Sequence, residues 1–300
     1  TGELYGPDAM TPVAGFVGYD RAMTDCDERG LLDYAKLCVR AGVTTSTDLA
    51  ARLTDESVSM MLNVTARDRF PLRVVPLRIF FGMSAEECVE YTKERKEQAT
   101  DLLQGFSARM RWPGYHNGAP NGLWYTAPDQ MSELYNRALA AGIQVHTHTN
   151  GDQATQMALD VFEPALKANP SPDHRFTIQH CQLADAAQFA KMGKLGMCVN
   201  LFANHHFYWG DEHYRLTVGP ERAMRMNATR TALASNVPLA IHSDAPVTPL
   251  GPLFTAWAAV NRITASGRTQ GDGEKIGVDD ALYAITMGAA YTLHLDGELG

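Results

Sequence analysis

The feature that most constrains this chain is a repeated alternation of short apolar runs with amphipathic helices. Several of the apolar runs are almost continuous, which is typical of strands that are covered on both faces. Strands that alternate with helices pair in parallel through right-handed crossovers. Six strands are predicted, at 43–48, 72–80, 143–149, 175–182, 197–203 and 238–243. The sequence therefore predicts an α/β fold built around a parallel sheet.

Helices are predicted between these strands from the spacing of apolar residues and from capping residues. They cover 27–41, 84–103, 126–141, 152–168 and 281–295. The second helix opens with Ser84 and Glu87, a capping-box pair, and continues to Leu103 without an intervening β-rich run. A closed TIM-type barrel has eight strands, and 300 residues suit one such domain. Since six strands are recognised, we expect 1–300 to form a single TIM-type (β/α) barrel in which two strands are missing or hidden, or else an open sheet.

The amino-acid composition limits the classes of partner that this chain is expected to bind. The chain has 26 Lys and Arg against 34 Asp and Glu, a formal charge of −8, which argues against nucleic acid or anionic lipid as its main partner. No run approaches the about 18 apolar residues that a membrane helix requires. Five cysteines without a Cys-x-x-Cys pair favour a reduced, cytoplasmic setting. We expect a small-molecule substrate. Because Thr1 is not an initiator residue, an upstream targeting segment is left open.

Polar side chains collect where the predicted strands end. His146 and His148 lie on one face of their strand, and His242 and Asp244 share a face in the same way, because side chains alternate along a strand. His180 ends the strand between them. The carboxyl ends of parallel strands meet at one edge of the sheet, where α/β proteins build their sites. We therefore expect these side chains to lie close together.

Two imidazoles and a carboxylate from three strands suit a catalytic zinc site. Zinc binds nitrogen and oxygen donors and leaves one position open for water. The ion lowers the pKa of that water to about 7 and polarises a carbonyl group, which favours hydrolysis. A single histidine at a strand end is more often a hydrogen-bonded core residue, so the prediction depends on several such positions occurring together.

Three segments then resemble one known family. HTNGDQA at 148–154, QHCQ at 179–182 and HSDAP at 242–246 occur in the order and spacing of the amidohydrolase superfamily, in its amidohydrolase-3 branch of YtcJ-like and formamide-deformylase-like hydrolases. The resemblance runs from Gly2 almost to Gly300. It implies a distorted TIM barrel with one or two divalent metal ions, zinc first among them, and hydrolysis of non-peptide C–N bonds of the amide or formamide type by a metal-activated water.

Residue roles follow from the matching positions. The resemblance implies that His148 and His180 are the metal ligands of the fifth and sixth strands. It makes Asp244 the eighth-strand carboxylate, which binds metal and shuttles a proton between water and leaving group. It also implies a homodimer. Six further residues are predicted to bind substrate: His146, His242, Asn200, His205, Trp112 and Arg109.

The chain also departs from the family pattern. The first-strand His-x-His is expected upstream of Thr1, and a small β-sandwich is expected to be absent from 1–300. The strand-four lysine is not assigned to Lys93 or Lys96, because both fall within the predicted helix. Strands one and four are thus the two that are not recognised. An inactive or incomplete barrel that binds a small ligand or a partner is the alternative function; a metal-free aldolase or isomerase ranks last, because the predicted strand ends carry no lysine.

Overall fold

A seven-stranded parallel sheet forms the centre of the computed structural model, which describes residues 27–51, 54–79, 84–92, 96–99, 108–122, 124 and 126–300. The strands are paired in sequence order, so that each lies beside its nearest neighbours along the chain. They are β1 (Thr45–Ala51), β2 (Arg73–Ile79), β3 (Lys96–Ala99), β4 (Val145–Thr149), β5 (Thr177–His180), β6 (Cys198–Leu201) and β7 (Leu239–Ile241). Within the described ranges the sheet is not closed, and β1 and β7 are its edges.

Helices connect successive strands. They are α1 (Glu28–Arg40), α2 (Asp55–Thr65), α3 (Ala85–Thr92), α4 (Pro128–Ala141), α5 (Asp152–Ala168), α6 (Ala186–Leu195), α7 (His205–Glu212), α8 (Gly219–Arg225), α9 (Thr229–Ala234), α10 (Pro252–Asn261), α11 (Val278–Ile285) and α12 (Met287–Tyr291). A π-helical turn at His213–Thr217 follows α7, and a 3₁₀ turn occupies Asp272–Glu274. Among the described helices, none has both the length and the apolar character that crossing a bilayer requires.

One observed strand, β3, was not predicted, and it corrects the prediction for its segment. A helix was expected to continue through Leu103, but α3 ends at Thr92 and Lys96–Ala99 forms β3 between β2 and β4. With β4 as the family's fifth strand, β3 occupies the fourth position, so the expected lack of that strand is also wrong. Glu, Lys and Gln favour a helix locally. The exposed backbone groups of β2 and β4 outweigh that preference because they provide hydrogen bonds on both sides.

The last predicted helix, at 281–295, is divided in two. Thr286 has φ −122° and ψ −95°, which is not helical, and it separates α11 from α12. Beyond the break Gly288 lies against β7, and a β-carbon at this position would be 2.1 Å from the carbonyl oxygen of Leu239. The close approach of α12 to the sheet therefore requires a change of direction that one continuous helix does not provide.

The two faces of the sheet differ in chemistry. The face toward the helices is apolar and belongs to the main core, which includes Val145, Ile178, Val199, Leu201, Leu239, Tyr135, Phe162 and Phe189. The opposite face is polar: His148 is in register with Gln179 on β5, and Gln179 with Asn200 on β6. Because these strands are parallel and in register, their polar residues form one continuous row on this face of the sheet.

Candidate metal centre

His148, His180 and Asp244 converge at the carboxyl ends of the strands. The ring centroids of His148 and His180 are 4.1 Å apart, and Nε2 of His180 lies 4.0 Å from Oδ2 of Asp244. Two donors that each lie about 2.1 Å from one ion are at most about 4.2 Å apart. His180 and Asp244 are therefore within reach of a single ion, although at the upper limit of that reach.

The backbone conformations of His180 and Asp244 explain how their side chains reach this point. Both lie in the left-handed region, with φ +59° and +54°. His180 is in register with Thr149, whose hydroxyl hydrogen-bonds to Thr155 of α5 on the helix-covered face. The left-handed backbone turns the His180 ring away from that face and toward His148. Such conformations cost about 1–3 kcal/mol each and concentrate at functional sites.

A hydrogen-bonded ladder of three side chains crosses the interior below the centre. Asn200 donates from Nδ2 to Oε1 of Gln179 (2.8 Å), so Nε2 of Gln179 faces His146 Nδ1 (2.7 Å) as a donor. Nδ1 of His146 therefore accepts, and the neutral ring carries its proton on Nε2. His146 lies in the interior beside the centre, with its lone pair already used within the ladder. Gln179 was missed as a site residue in the sequence, although a glutamine within an apolar strand is a usable signal.

Burial keeps the imidazoles of His180 and His242 neutral. Desolvation holds the pKa of His180 well below its ordinary value, and the neighbouring rings of His148, His242 and His205 lower it further. Desolvation also lowers the pKa of His242 to about 4, against the smaller opposing effect of Asp244. Metal-bound histidine is neutral. The site therefore presents imidazoles in the form that binds metal at neutral pH.

The predicted substrate-binding residues fall into two groups. His205 begins α7 with its ring 6.0 Å from that of His180, so it joins His146, Asn200 and His242 around the centre. Arg109 instead lies over the ring of Trp124, at 5.2 Å, and donates to the carbonyl of Gly122. Trp112 is 91% exposed. The side chains of these last two residues thus lie with the loop at 108–122 and its neighbours. Their backbone carbonyls reach further: that of Arg109 accepts from the amide of Ala154 on α5, and that of Trp112 accepts from Arg222 on α8.

A second buried polar group lies behind His205, and it was missed in the sequence. Nδ1 of His206 hydrogen-bonds to Gln270 at 3.0 Å, and Nδ1 of His213 to Thr217 at 2.6 Å. Arg262 is fully buried and donates to three backbone carbonyls, at Gln270, Asn227 and Met226. The His213–Thr217 contact is local, within one helical turn. The contacts of His206 and Arg262 instead join segments that are distant in sequence, and no local sequence pattern indicates them.

The donor set suits a divalent ion, although the ligands are not drawn together around one. Within the ranges described by the structure, no three His, Cys, Asp or Glu side chains are close enough to hold an ion as they stand. Nε2 of His242 is nevertheless buried without a hydrogen-bond partner in the described part of the chain. Unpaired buried nitrogens are costly, and neutral imidazoles beside a carboxylate are donors that zinc prefers. The donor types present therefore suit such an ion, and holding it would require their side chains to move closer together.

The buried histidines behind the centre predict loss of stability in acid. Burial lowers the pKa of His213 to about 4 and that of His206 well below its ordinary value of 6.5. Between pH 6.5 and about 4 the unfolded chain binds protons that these folded residues do not, so the free energy of unfolding falls as pH decreases. Each histidine contributes up to about 1.4 kcal/mol per pH unit. Urea unfolding of wild type and His213→Gln at several pH values in this range measures the contribution of His213. If the free energy of unfolding depended on pH equally in the two proteins, His213 would not contribute to the loss of stability.

Comparison with known proteins places the chain in a family. A family model described as the amidohydrolase family matches residues 19–300. The chain is 33% identical over 181 residues to Protein LONG AFTER FAR-RED 3 of Arabidopsis thaliana, covering 60% of this chain and 31% of that protein. It is 24% identical over 299 residues to N-substituted formamide deformylase of Arthrobacter pascens, covering 94% of this chain and 54% of that protein. The chain thus spans between about a third and about half of these relatives.

Solved structures show the same fold at low sequence identity. A metal-dependent hydrolase from Pyrococcus furiosus superposes with a TM-score of 0.74 at 20% identity, covering 91% of this chain and 56% of that chain. E. coli guanine deaminase superposes with a TM-score of 0.58 at 15% identity, covering 91% and 60%. The match of the family model to almost the whole chain shows that this protein belongs to the amidohydrolase family.

Proposed function

We propose that this protein hydrolyses C–N bonds other than peptide bonds, of the amide or formamide type, with a divalent metal ion held by His148, His180 and Asp244. The observation that carries the proposal is the convergence of two imidazoles and one carboxylate from three strand ends. The family and its metal-dependent relatives support it. Zinc is the ion we propose first, because it suits nitrogen and oxygen donors.

Each side chain has a distinct part in this reaction. The ion, when bound, polarises the substrate carbonyl and makes water acidic enough to ionise near neutral pH. His148 and His180 would hold the ion through their ring nitrogens. Asp244 takes the proton of the attacking water and returns it to the departing nitrogen. This division fits the exposure of the side chains: His180 is 5% exposed, whereas Asp244 is 35% exposed and so is accessible to water.

The surrounding residues are proposed to bind and orient the substrate. The ladder of His146, Gln179 and Asn200 fixes its own donor and acceptor positions, which favours one orientation of a polar group placed above it. His205 packs against Phe202, with ring centroids 4.0 Å apart, and is proposed to line the substrate site beside the metal centre. Arg109 is proposed to act from the loop at 108–122. An exposed Trp112 would have to fold inward to contact substrate.

A second candidate function is a barrel that binds a small ligand or a partner without catalysis. It is favoured by the absence of a close three-ligand group among the described residues. The two candidates make opposite predictions for metal content and for hydrolysis, so one preparation distinguishes them.

The test uses the full chain, which is incubated with Zn, Mn or Fe ions and then separated from unbound metal. We expect at least one tightly held ion per chain and hydrolysis of simple amides or N-substituted formamides. His180→Asn should lose most of both, because asparagine tolerates the left-handed backbone but lacks the imidazole. Asp160→Asn, an exposed change on α5, should keep both. A wild type without retained metal and without amide hydrolysis would defeat the catalytic proposal and favour the ligand-binding one.

The cellular setting and assembly are also proposals. Three of the cysteines, Cys38, Cys181 and Cys198, are described; they are free and buried, which supports a reduced, cytoplasmic setting. A homodimer is proposed from the family resemblance, and light scattering of the purified chain tests it.

A further inference from the structure

A group of aromatic side chains lies on two helices beside the candidate centre. β6 and β7 are paired; α7 begins at the carboxyl end of β6, and α10 is the first helix after β7. Rings of the two helices contact each other, because the centroid of Phe254 is 5.3 Å from that of Phe207 and 6.1 Å from that of Tyr208. We call this group the aromatic cluster, and its members are Phe207, Tyr208, Trp209, Phe254 and Trp257.

The aromatic cluster is continuous with the candidate centre through ring contacts. Trp209 lies one turn beyond His205 on α7, with ring centroids 5.8 Å apart, and the ring of His205 is 6.0 Å from that of His180. A second route passes through Phe202, whose ring centroid is 5.9 Å from that of Trp209 and 5.5 Å from that of His180. Trp209 is therefore the member of the cluster that adjoins the residues around the centre.

The aromatic cluster is open to solvent at its surface. Tyr208 and Trp257 are each 37% exposed and the other three rings are half-buried, whereas Phe202, between the cluster and the centre, is buried. Single exposed apolar side chains are common, but a contiguous group of them usually marks a site of interaction. Rings that served only to pack α7 against α10 would be buried between the two helices. The exposed part of the cluster is therefore available to a ligand.

The chemistry of the cluster favours an aromatic ligand group. The sequence of α10, PLFTAWAAVN, contains no charged residue. A charged group placed against it would lose hydration without gaining a partner there, whereas an apolar ring gains by leaving water. The rings of the cluster pack at centroid distances between 5.3 and 6.1 Å, mostly edge to face, which is the geometry that aromatic pairs prefer. A further ring can pack on the cluster in the same way.

The position of Asp244 indicates which part of a substrate would reach the cluster. This carboxylate, which is proposed to return the proton to the departing nitrogen, lies in the segment that joins β7 to α10. The departing nitrogen and its substituent are therefore expected on the side of α10. We propose that the aromatic cluster binds an aromatic ring carried by the departing nitrogen, with Trp209 as the inner wall. This inference rests on the proposed function, and it names the class of amide that the site takes.

The first experiment compares three N-substituted formamides as substrates of the metal-loaded full chain. Their nitrogen carries a 2-phenylethyl, a 2-cyclohexylethyl or an ethyl group. We expect kcat/KM to be about 10–100-fold higher for the phenylethyl than for the ethyl compound, because burial of a group of that size contributes this much. The cyclohexyl compound should be about 3-fold slower than the phenylethyl compound, since ring pairing adds to burial. A phenylethyl compound no better than either of the others would overturn the inference.

Two variants test the cluster itself. Trp209→Leu removes the inner wall, and Phe254→Leu removes a ring that joins the two helices. Each should lower the ratio of kcat/KM for the phenylethyl compound to that for the ethyl compound by about 10-fold. Tyr283→Leu is the control, because Tyr283 is 55% exposed on α11 and lies outside the cluster, so its ratio should match wild type. A disturbed fold affects both compounds alike, so an unchanged ratio in Trp209→Leu and Phe254→Leu would contradict the proposal.

A binding measurement separates this inference from the proposed function. Saturation-transfer NMR follows N-(2-phenylethyl)formamide on the full chain after its metal is removed with a chelator. We expect transfer to the phenyl protons in wild type and Tyr283→Leu, and its loss in Trp209→Leu and Phe254→Leu. If wild type hydrolyses none of the three formamides but shows this pattern, the proposed function fails and the aromatic binding site stands. If wild type hydrolyses them without preference, and transfer is absent or equal in every variant, the aromatic binding site is wrong and the proposed function stands.

Discussion

Replacing Asp244 by asparagine is expected to lower kcat by about 10³-fold or more. The carboxylate is proposed both to bind the ion and to move the proton between water and leaving group, and a positioned acid–base group alone contributes about 10²–10⁴-fold. Asparagine has the same shape but can neither accept that proton nor bind metal as an anion. It also tolerates the left-handed conformation, φ +54°, that this position adopts. The fold should therefore survive.

The measurement compares steady-state hydrolysis, metal content and thermal unfolding of Asp244→Asn with wild type. Asp160→Asn is the control, because its carboxylate is exposed on α5, where it lies 3.1 Å from Nζ of Lys191. We expect the control to retain activity within a factor of about two, as surface changes usually do. Near-normal turnover in Asp244→Asn would remove the central acid from the mechanism.

Replacing Gly193 by alanine is expected to destabilise the protein by about 2 kcal/mol. Gly193 lies within α6, where helix propensity alone predicts a gain of about 1 kcal/mol for alanine. The tertiary contact predicts the reverse, because a β-carbon there would be 2.1 Å from the carbonyl oxygen of Ser235. Neither group is a flexible side-chain end, so backbone must move, and overpacking of this kind costs about 1–3 kcal/mol or more. The clash therefore outweighs the propensity.

Chemical denaturation of Gly193→Ala and Gly273→Ala separates the two effects. A β-carbon at Gly273 would have no atom within 4 Å, so that variant should stay within about 0.5 kcal/mol of wild type. If Gly193→Ala were as stable as wild type or more so, α6 would not pack against the segment after α9 as closely as described.

The sequence predicted most of the elements that hold the site. The runs at 143–149, 175–182 and 197–203 contain β4, β5 and β6. A continuous apolar run of strand length is a local signal, so it can be recognised without knowing which strands lie beside it. The strand at Lys96–Ala99 was not predicted, since its residues favour a helix when considered alone. Pairing with the strands on both sides determines its structure, and no local pattern records such pairing.

The sequence was enough to predict that His148, His180 and Asp244 lie at the same edge of the sheet. The prediction used only the alternation of side chains along a strand and the common direction of parallel strands, which hold for any such strand. The chain order alone could not specify the left-handed turns at His180 and Asp244, the ladder that occupies Nδ1 of His146, or the unpaired Nε2 of His242. Those depend on which atoms from distant segments become neighbours. Hydrogen bonds and burial require these atoms to be close in space, and only the folded structure brings them close.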